Sequence, residues 1–126
     1  MFGLLWISGI GWLVFHYFLQ QVGEFGAMPH PLEAWCLCLH GAAAFASLWL
    51  ISLLWAIHLV PGWKSRRRPS GIVLSVFTAV LVLSGYLLYY AGGDRVHEIV
   101  ALAHWLVGLV LAVPLLLHGL RGRRAR

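Results

Sequence analysis

Four long apolar stretches occupy most of this 126-residue chain and constrain its fold more than any other feature. They cover about residues 2–21, 33–60, 70–91 and 96–120, each long enough to cross a hydrocarbon core of about 30 Å as a helix. No stretch alternates like a lipid-facing barrel strand, so helices are the expected spanning form. With 61% hydrophobic and 10% charged residues, we predict an all-α membrane protein. Residues 1–126 should form a single transmembrane domain of four helices in an up-down-up-down bundle.

The charged residues predict the orientation of these helices in the membrane. Every Lys and Arg except Arg95 lies between the second and third stretches or after the fourth, whereas all four acidic residues lie in the other two connections or at the adjoining ends of the stretches. By the positive-inside rule, both termini and the basic loop face the cytoplasm. We interpret the basic runs as topology signals and contacts to anionic lipid, not as a nucleic-acid site. The first stretch lacks a preceding basic residue and a small-x-small cleavage site, which predicts a retained helix.

Cys36 and Cys38 are the two cysteines of the chain. Their C-x-C spacing differs from the C-x-x-C-H of covalent haem attachment, so any haem here would be bound non-covalently. Residues two apart on a helix point in different directions, which disfavours a shared metal ion. We therefore expect both cysteines to pack as small apolar side chains.

Seven histidines are many for a chain this apolar. His30 lies in the predicted outer loop, where we expect it to be solvated. The other six lie within or at the ends of the predicted spans, where an ionisable side chain indicates function. For His16 and His97, near span ends, the competing interpretation is an interfacial, hydrogen-bonded histidine.

Four histidines fall into two pairs by helical geometry. The eighteen residues from His40 to His58 make five whole turns, about 27 Å, and the fourteen from His104 to His118 fall about 40° short of four turns, about 21 Å. The second and fourth spans run in the same direction, so His40 comes level with His104 near the outer side, and His58 with His118 near the inner side. Two stacked haems need this arrangement, and two axial histidines per iron favour electron transfer.

The H-x13-H of HWLVGLVLAVPLLLH resembles the haem-ligand helices of cytochrome b in quinol–cytochrome c reductases. From LHGAAAF through RRRPSG and LSGYLLYY to LLLHGLRG, roughly residues 36–122, the chain is similar to small bacterial dihaem b-type cytochromes, including membrane subunits of formate dehydrogenases and hydrogenases. The resemblance implies two non-covalent haem b groups, one on His40 and His104 and one on His58 and His118. It also implies electron transfer across the bacterial inner membrane within a larger redox complex, with quinone as a candidate exchange partner.

The chain departs from this pattern in ways that leave alternatives open. The spacing of His40 and His58 is eighteen instead of fourteen, a difference of about 6 Å in helical rise. His97 lies seven residues before His104 on nearly the same face and could replace it. We prefer His104 because it is better embedded and has the familiar spacing. In a formate-dehydrogenase-like arrangement one ligand comes from the first span, where His16 is the candidate.

The sequence also limits what the chain does alone. It contains no G-x-G-x-x-G after a strand and no cysteine cluster, so we expect quinone, a periplasmic carrier or another subunit to exchange its electrons. It is then a redox subunit, not a stand-alone enzyme. Near the outer side, Asp94, His97 and Glu98 are possible proton acceptors for quinone, although we favour a polar helix start.

Two other functions stay open. One is a small transporter that uses histidines for metal ions or protons. Against it, the acidic residues lie in loops or at span ends, and the spans lack paired Gly/Pro breaks. The other is a haem-free membrane scaffold or anchor, in which the histidines only pack between helices.

Overall fold

The chain is mostly helical in a computed structural model, which describes residues 1–24, 26–62 and 68–123. Its elements, in chain order, are α1 (Phe2–Tyr17), a hairpin of β1 (Gln21–Gly23) and β2 (Gly26–Met28), α2 (Pro31–Leu54), α3 (Arg68–Tyr90) and α4 (Asp94–Arg123). A π-helical turn, Trp55–Leu59, and a short α-helical segment, Val60–Gly62, continue α2. The chain divides into two compact units, Met1–Trp55 and Ala56–Arg126. The single domain stays a prediction.

Among the described residues, three helices are long and apolar enough to cross a membrane: Pro31–Gly62, Pro69–Tyr90 and Asp94–Leu120. The most apolar 18-residue windows of these helices have mean hydropathies of 2.0, 2.2 and 2.4, so their side chains are suited to lipid contact. Helix α1 is also apolar but has only 16 residues, about 24 Å of helix. The structure therefore confirms a mostly helical chain with three helices able to span a membrane, and the four-helix bundle stays a prediction.

The first helix ends earlier than its hydropathy indicates. The predicted stretch runs to residue 21, but α1 ends at Tyr17 and β1 begins at Gln21. The hairpin pairs Gln21 with Met28 and Val22 with Ala27 in antiparallel register. Gly26, at φ +118°, adopts a backbone conformation that other residues rarely reach. The backbone pairing of this hairpin replaces the last predicted turn of the helix.

His30 is the N-cap of α2, a structural role that the expectation of a solvated loop residue did not include. Its backbone is extended, and its Nδ1 accepts a hydrogen bond from the Leu32 N–H at 3.2 Å. Pro31 occupies the first helical position, where a missing N–H costs nothing. The imidazole also stacks on Phe15 of α1, with ring centroids 4.5 Å apart. His30 thus caps one helix and fastens it to another.

The π-helical turn affects the predicted placement of His40 and His58 on one face of a helix. Pro61 follows this turn and has no N–H to donate to the carbonyl of Ile57, so a regular α-helical pattern cannot continue there. The shared face of His40 and His58 was predicted from a uniform α-helix over the whole span. That premise is wrong for Trp55–Leu59, the turn that contains His58.

Helix packing within each unit depends on small residues. In the described part of the chain, the buried side chains are those of Ala43, Ser8, Ser47 and Ser84, while large apolar side chains are turned outward. In the first unit α1 packs on α2, and a Cβ on Gly11 would lie only 3.2 Å from Cys36 Sγ. In the second unit α3 packs on α4. Small residues allow such close approach in membranes, where lipid tails compete equally well for apolar surfaces.

Replacing His30 by Ala should lower the free energy of unfolding by about 1 kcal/mol, because the helix loses its N-cap acceptor. Asn, a strong N-cap residue, should recover most of that loss. Reversible unfolding in detergent micelles, followed by circular dichroism, measures both variants. Equal stability of His30→Ala and the wild type would contradict the capping role.

Candidate functional site

His40 is half-buried on α2 and lies against the backbone of α1. Its Nδ1 is 3.1 Å from Ser8 Oγ and 3.0 Å from the carbonyl oxygen of Leu5. A Cβ placed on Gly9 would come within 3.3 Å of His40 Cε1, so this glycine makes room for the ring. The imidazole is therefore held by its Nδ1 edge against α1.

These contacts determine which ring nitrogen of His40 carries the hydrogen. A carbonyl oxygen only accepts, so the Leu5 contact requires an N–H at Nδ1. Ser8 Oγ donates to the Leu4 carbonyl at 2.7 Å and therefore accepts from the same Nδ1–H. In the neutral ring the lone pair then lies on Nε2, the nitrogen that would bind a metal.

His104 on α4 is held in the same way by α3. Its Nδ1 is 2.8 Å from Ser84 Oγ, and that hydroxyl donates to the carbonyl of Val80 at 2.7 Å. With the hydroxyl hydrogen directed to Val80, the serine accepts from Nδ1–H of His104, and the lone pair lies on Nε2. A Cβ on Gly85 would lie 3.5 Å from His104 Cε1. The surroundings of His40 and His104 are alike.

His118 on α4 has contacts to both α3 and the π-helical turn. Its Nδ1 is 3.0 Å from Ser70 Oγ on α3. Its ring lies 6.2 Å from that of His58, centroid to centroid, with the ring planes at 82°. Both histidines belong to the second unit, so the structure itself brings the predicted inner pair together.

The serines were missed by reasoning from histidine spacing alone. Ser70 and Ser84 are fourteen residues apart on α3, matching the fourteen between His104 and His118 on α4. Each of the three serines that bond a histidine is followed by glycine, and Ser-Gly occurs only at these three places in the sequence. This dipeptide was the available signal. Which histidine such a serine contacts depends on the helix that packs beside it. Composition and spacing do not reveal that packing.

His16, the alternative ligand on the first helix, is engaged in a separate cluster of the first unit. Its Nδ1 is 2.7 Å from Glu33 Oε1, with side chains 40% and 13% exposed respectively. Its ring stacks on Trp12 at 4.5 Å between centroids. Trp12 Nε1 and Glu33 Oε2 are buried and have no hydrogen-bond partner among the described residues. This arrangement matches the interpretation of His16 as a hydrogen-bonded histidine near a span end.

The two histidines of the other predicted pair lie in different units. His40 belongs to the first unit and His104 to the second, so their pairing stays a prediction. His97, the alternative to His104, is exposed in the first turn of α4. Choosing between these two histidines therefore requires a measurement.

A haem would need two histidines close to each other. The rings of His58 and His118, 6.2 Å apart between centroids, lie close enough for both residues to hold one iron. In the parts of the chain that the structure describes, no three His, Cys, Asp or Glu residues are grouped for a metal ion. A haem needs only two protein ligands because the porphyrin supplies the other four, so the inner histidine pair fits a haem.

Known proteins give no further guide to the site. A scan against protein-family models finds no match for this chain, and searches of curated proteins and of solved structures find none either. The functional argument therefore depends on the residues and their geometry.

Replacing Glu33 by Gln should lower the free energy of unfolding by about 1 kcal/mol, because a neutral amide accepts more weakly from His16 than a carboxylate does. Glu24→Gln, at an exposed position of the hairpin, is the matched control and should change stability by less than about 0.5 kcal/mol. Unfolding in micelles measures both. Equal effects of the two substitutions would show that the His16–Glu33 contact contributes nothing.

Proposed function

We propose that this protein is a transmembrane electron carrier that binds two haem b groups non-covalently. The observation that carries the proposal is the approach of His58 and His118 at 6.2 Å between ring centroids. His58 and His118 would be the two side chains that hold one of the haem irons.

The second haem is assigned to His40 and His104, which have matching surroundings. Each ring has its Nδ1–H held by a serine hydroxyl and its Cε1 beside a glycine. Each thus has the tautomer that an axial ligand requires, with the lone pair on Nε2. This common arrangement supports a common role for the two residues. The pairing itself is part of the proposal.

The fold assigned to this function is a four-helix up-down-up-down bundle in a bacterial inner membrane, with both termini cytoplasmic. Three helices long enough to span support it, together with the asymmetric distribution of basic and acidic residues. The short α1 would be the first of the four helices. The likeness to small bacterial dihaem cytochromes belongs to this proposal as well.

Haem iron, when bound, supplies a one-electron redox centre inside an otherwise insulating bilayer. The chain's contribution would be to hold that centre: two histidine nitrogens would bind each iron and would leave no position open for other ligands. Other redox subunits, a periplasmic carrier or quinone would exchange the electrons. A transporter or a haem-free scaffold is the competing function. In a scaffold, the serine contacts of the three imidazoles would only join neighbouring helices.

A dithionite-reduced minus oxidised spectrum with a pyridine haemochrome count tests this function. We expect a b-type band and two haems per chain in protein made with ample haem. Single His→Ala changes at His40, His58, His104 and His118 should each leave about one haem. His30→Asn, which preserves the helix cap, should keep both. Wild-type protein without haem would refute the proposal and favour the transporter or scaffold.

Double substitutions then assign the ligand pairs. Removing His58 and His118 together should leave one haem, as each single change does, because both bind the same iron. Removing His58 and His104 together should leave none, because they bind different irons. If His97→Ala loses a haem while His104→Ala keeps both, His97 is the ligand in place of His104.

A further inference from the structure

Three Ser-Gly dipeptides occur in the chain, and the serine of each contacts a histidine on the neighbouring helix. Ser8 on α1 contacts His40, whereas Ser70 and Ser84 on α3 contact His118 and His104. In every case the contact joins the hydroxyl oxygen to Nδ1, at 2.8 to 3.1 Å. The dipeptide thus marks three of the four proposed haem ligands.

The hydroxyl and the glycine have different effects on the ring. In Ser8 and Ser84 the hydroxyl hydrogen is already donated to the serine's own helix, so the oxygen accepts from the imidazole. The glycine leaves room for the ring. A Cβ on Gly9 would lie 3.3 Å from Cε1 of His40, and a Cβ on Gly85 would lie 3.5 Å from Cε1 of His104. A Cβ on Gly71 would have no atom of a neighbouring helix within 4 Å. The serine is therefore the element common to all three contacts.

We propose that Ser8, Ser70 and Ser84 are positioning residues for the haem-ligand histidines, each holding Nδ1–H so that Nε2 is directed to the iron. This inference rests on the proposed function. A hydrogen bond from Nδ1–H raises the electron-donating strength of a ligating imidazole, and such contacts tune metal sites. The serines would thereby favour ferric iron over ferrous iron.

A purely structural role for the serines makes a different prediction. Hydrogen bonds between serine and histidine also hold membrane helices together, and losing one changes stability. Ser75, on the same helix α3, donates to the carbonyl of Gly71 without such a histidine contact in the described structure. Ser75→Ala is therefore a matched control for the loss of a hydroxyl from α3.

The first measurement is a redox titration of both haems in wild type, Ser84→Ala, Ser84→Thr and Ser75→Ala. Loss of the hydrogen bond should raise the ferrous-to-ferric ratio of one haem at the wild-type midpoint. The upper limit is about fivefold, from about 1 kcal/mol for a neutral hydrogen bond, because only the difference in bond strength between the two oxidation states counts. That limit corresponds to an increase of about 40 mV in the midpoint potential. Thr keeps the hydroxyl and should titrate like the wild type, as should Ser75→Ala.

The second measurement needs no haem. Nitrogen-15 NMR of histidine-labelled, haem-free protein in micelles should show His104 with its hydrogen on Nδ1 in the wild type and in Ser75→Ala. In Ser84→Ala the two neutral tautomers should mix. Because the protein is observed directly, a variant that does not fold would be recognised, and Ser84→Thr would still test the role of the hydroxyl.

The outcomes separate this inference from the function on which it rests. Wild-type protein that binds no haem would overturn both. Wild-type protein that binds two haems, while Ser84→Ala keeps the wild-type potentials and tautomer, would overturn the positioning role alone. A potential shift in Ser84→Ala that Ser84→Thr reverses, with Ser75→Ala unchanged, is the expected result.

Discussion

The hydrogen bond between a serine on one helix and a histidine on the next is the interaction on which the arrangement of this protein depends. An imidazole N–H inside a membrane must find an acceptor, because hydrocarbon offers none. Serine satisfies it without adding bulk, and its own hydrogen goes to the helix that carries it. The same contact therefore joins two helices, selects a tautomer and sets the direction of the second ring nitrogen.

The pair of α3 and α4 shows how a repeated contact specifies register. Two antiparallel helices with matching fourteen-residue intervals can form both contacts at once, Ser84 with His104 and Ser70 with His118. Sliding one helix by a single turn would break both and leave two polar side chains of each helix in an apolar environment. Apolar packing alone gives no such penalty in lipid, since one lipid-facing position is much like another. The polar contacts thus provide the specificity that the apolar surfaces lack.

Hydropathy predicts most of the helical structure because long apolar runs in a membrane have few alternatives to helix. It misses the end of α1 at Tyr17, since the backbone pairing of Gln21–Gly23 is not visible in hydropathy. Hydropathy also misses the π-helical turn at Trp55–Leu59. The α-helical pattern ends there because Pro61 has no backbone N–H, and hydropathy does not record this. The candidate histidines are identifiable from their spacing. Their serine partners are not, because a contact between helices depends on which faces meet.

The length of α1 has a consequence for the membrane around the protein. At 16 residues it extends about 24 Å, shorter than a typical hydrocarbon core of about 30 Å. A spanning helix of this length requires the bilayer to thin locally or its end residues to reach toward the headgroups, at a cost of fractions of a kcal/mol per Å. Acyl-chain length would then affect the energy of inserting α1, and thereby of presenting Ser8 to His40. In the proposed four-helix arrangement, lipid thickness would act on the pair of α1 and α2 and would spare the pair of α3 and α4.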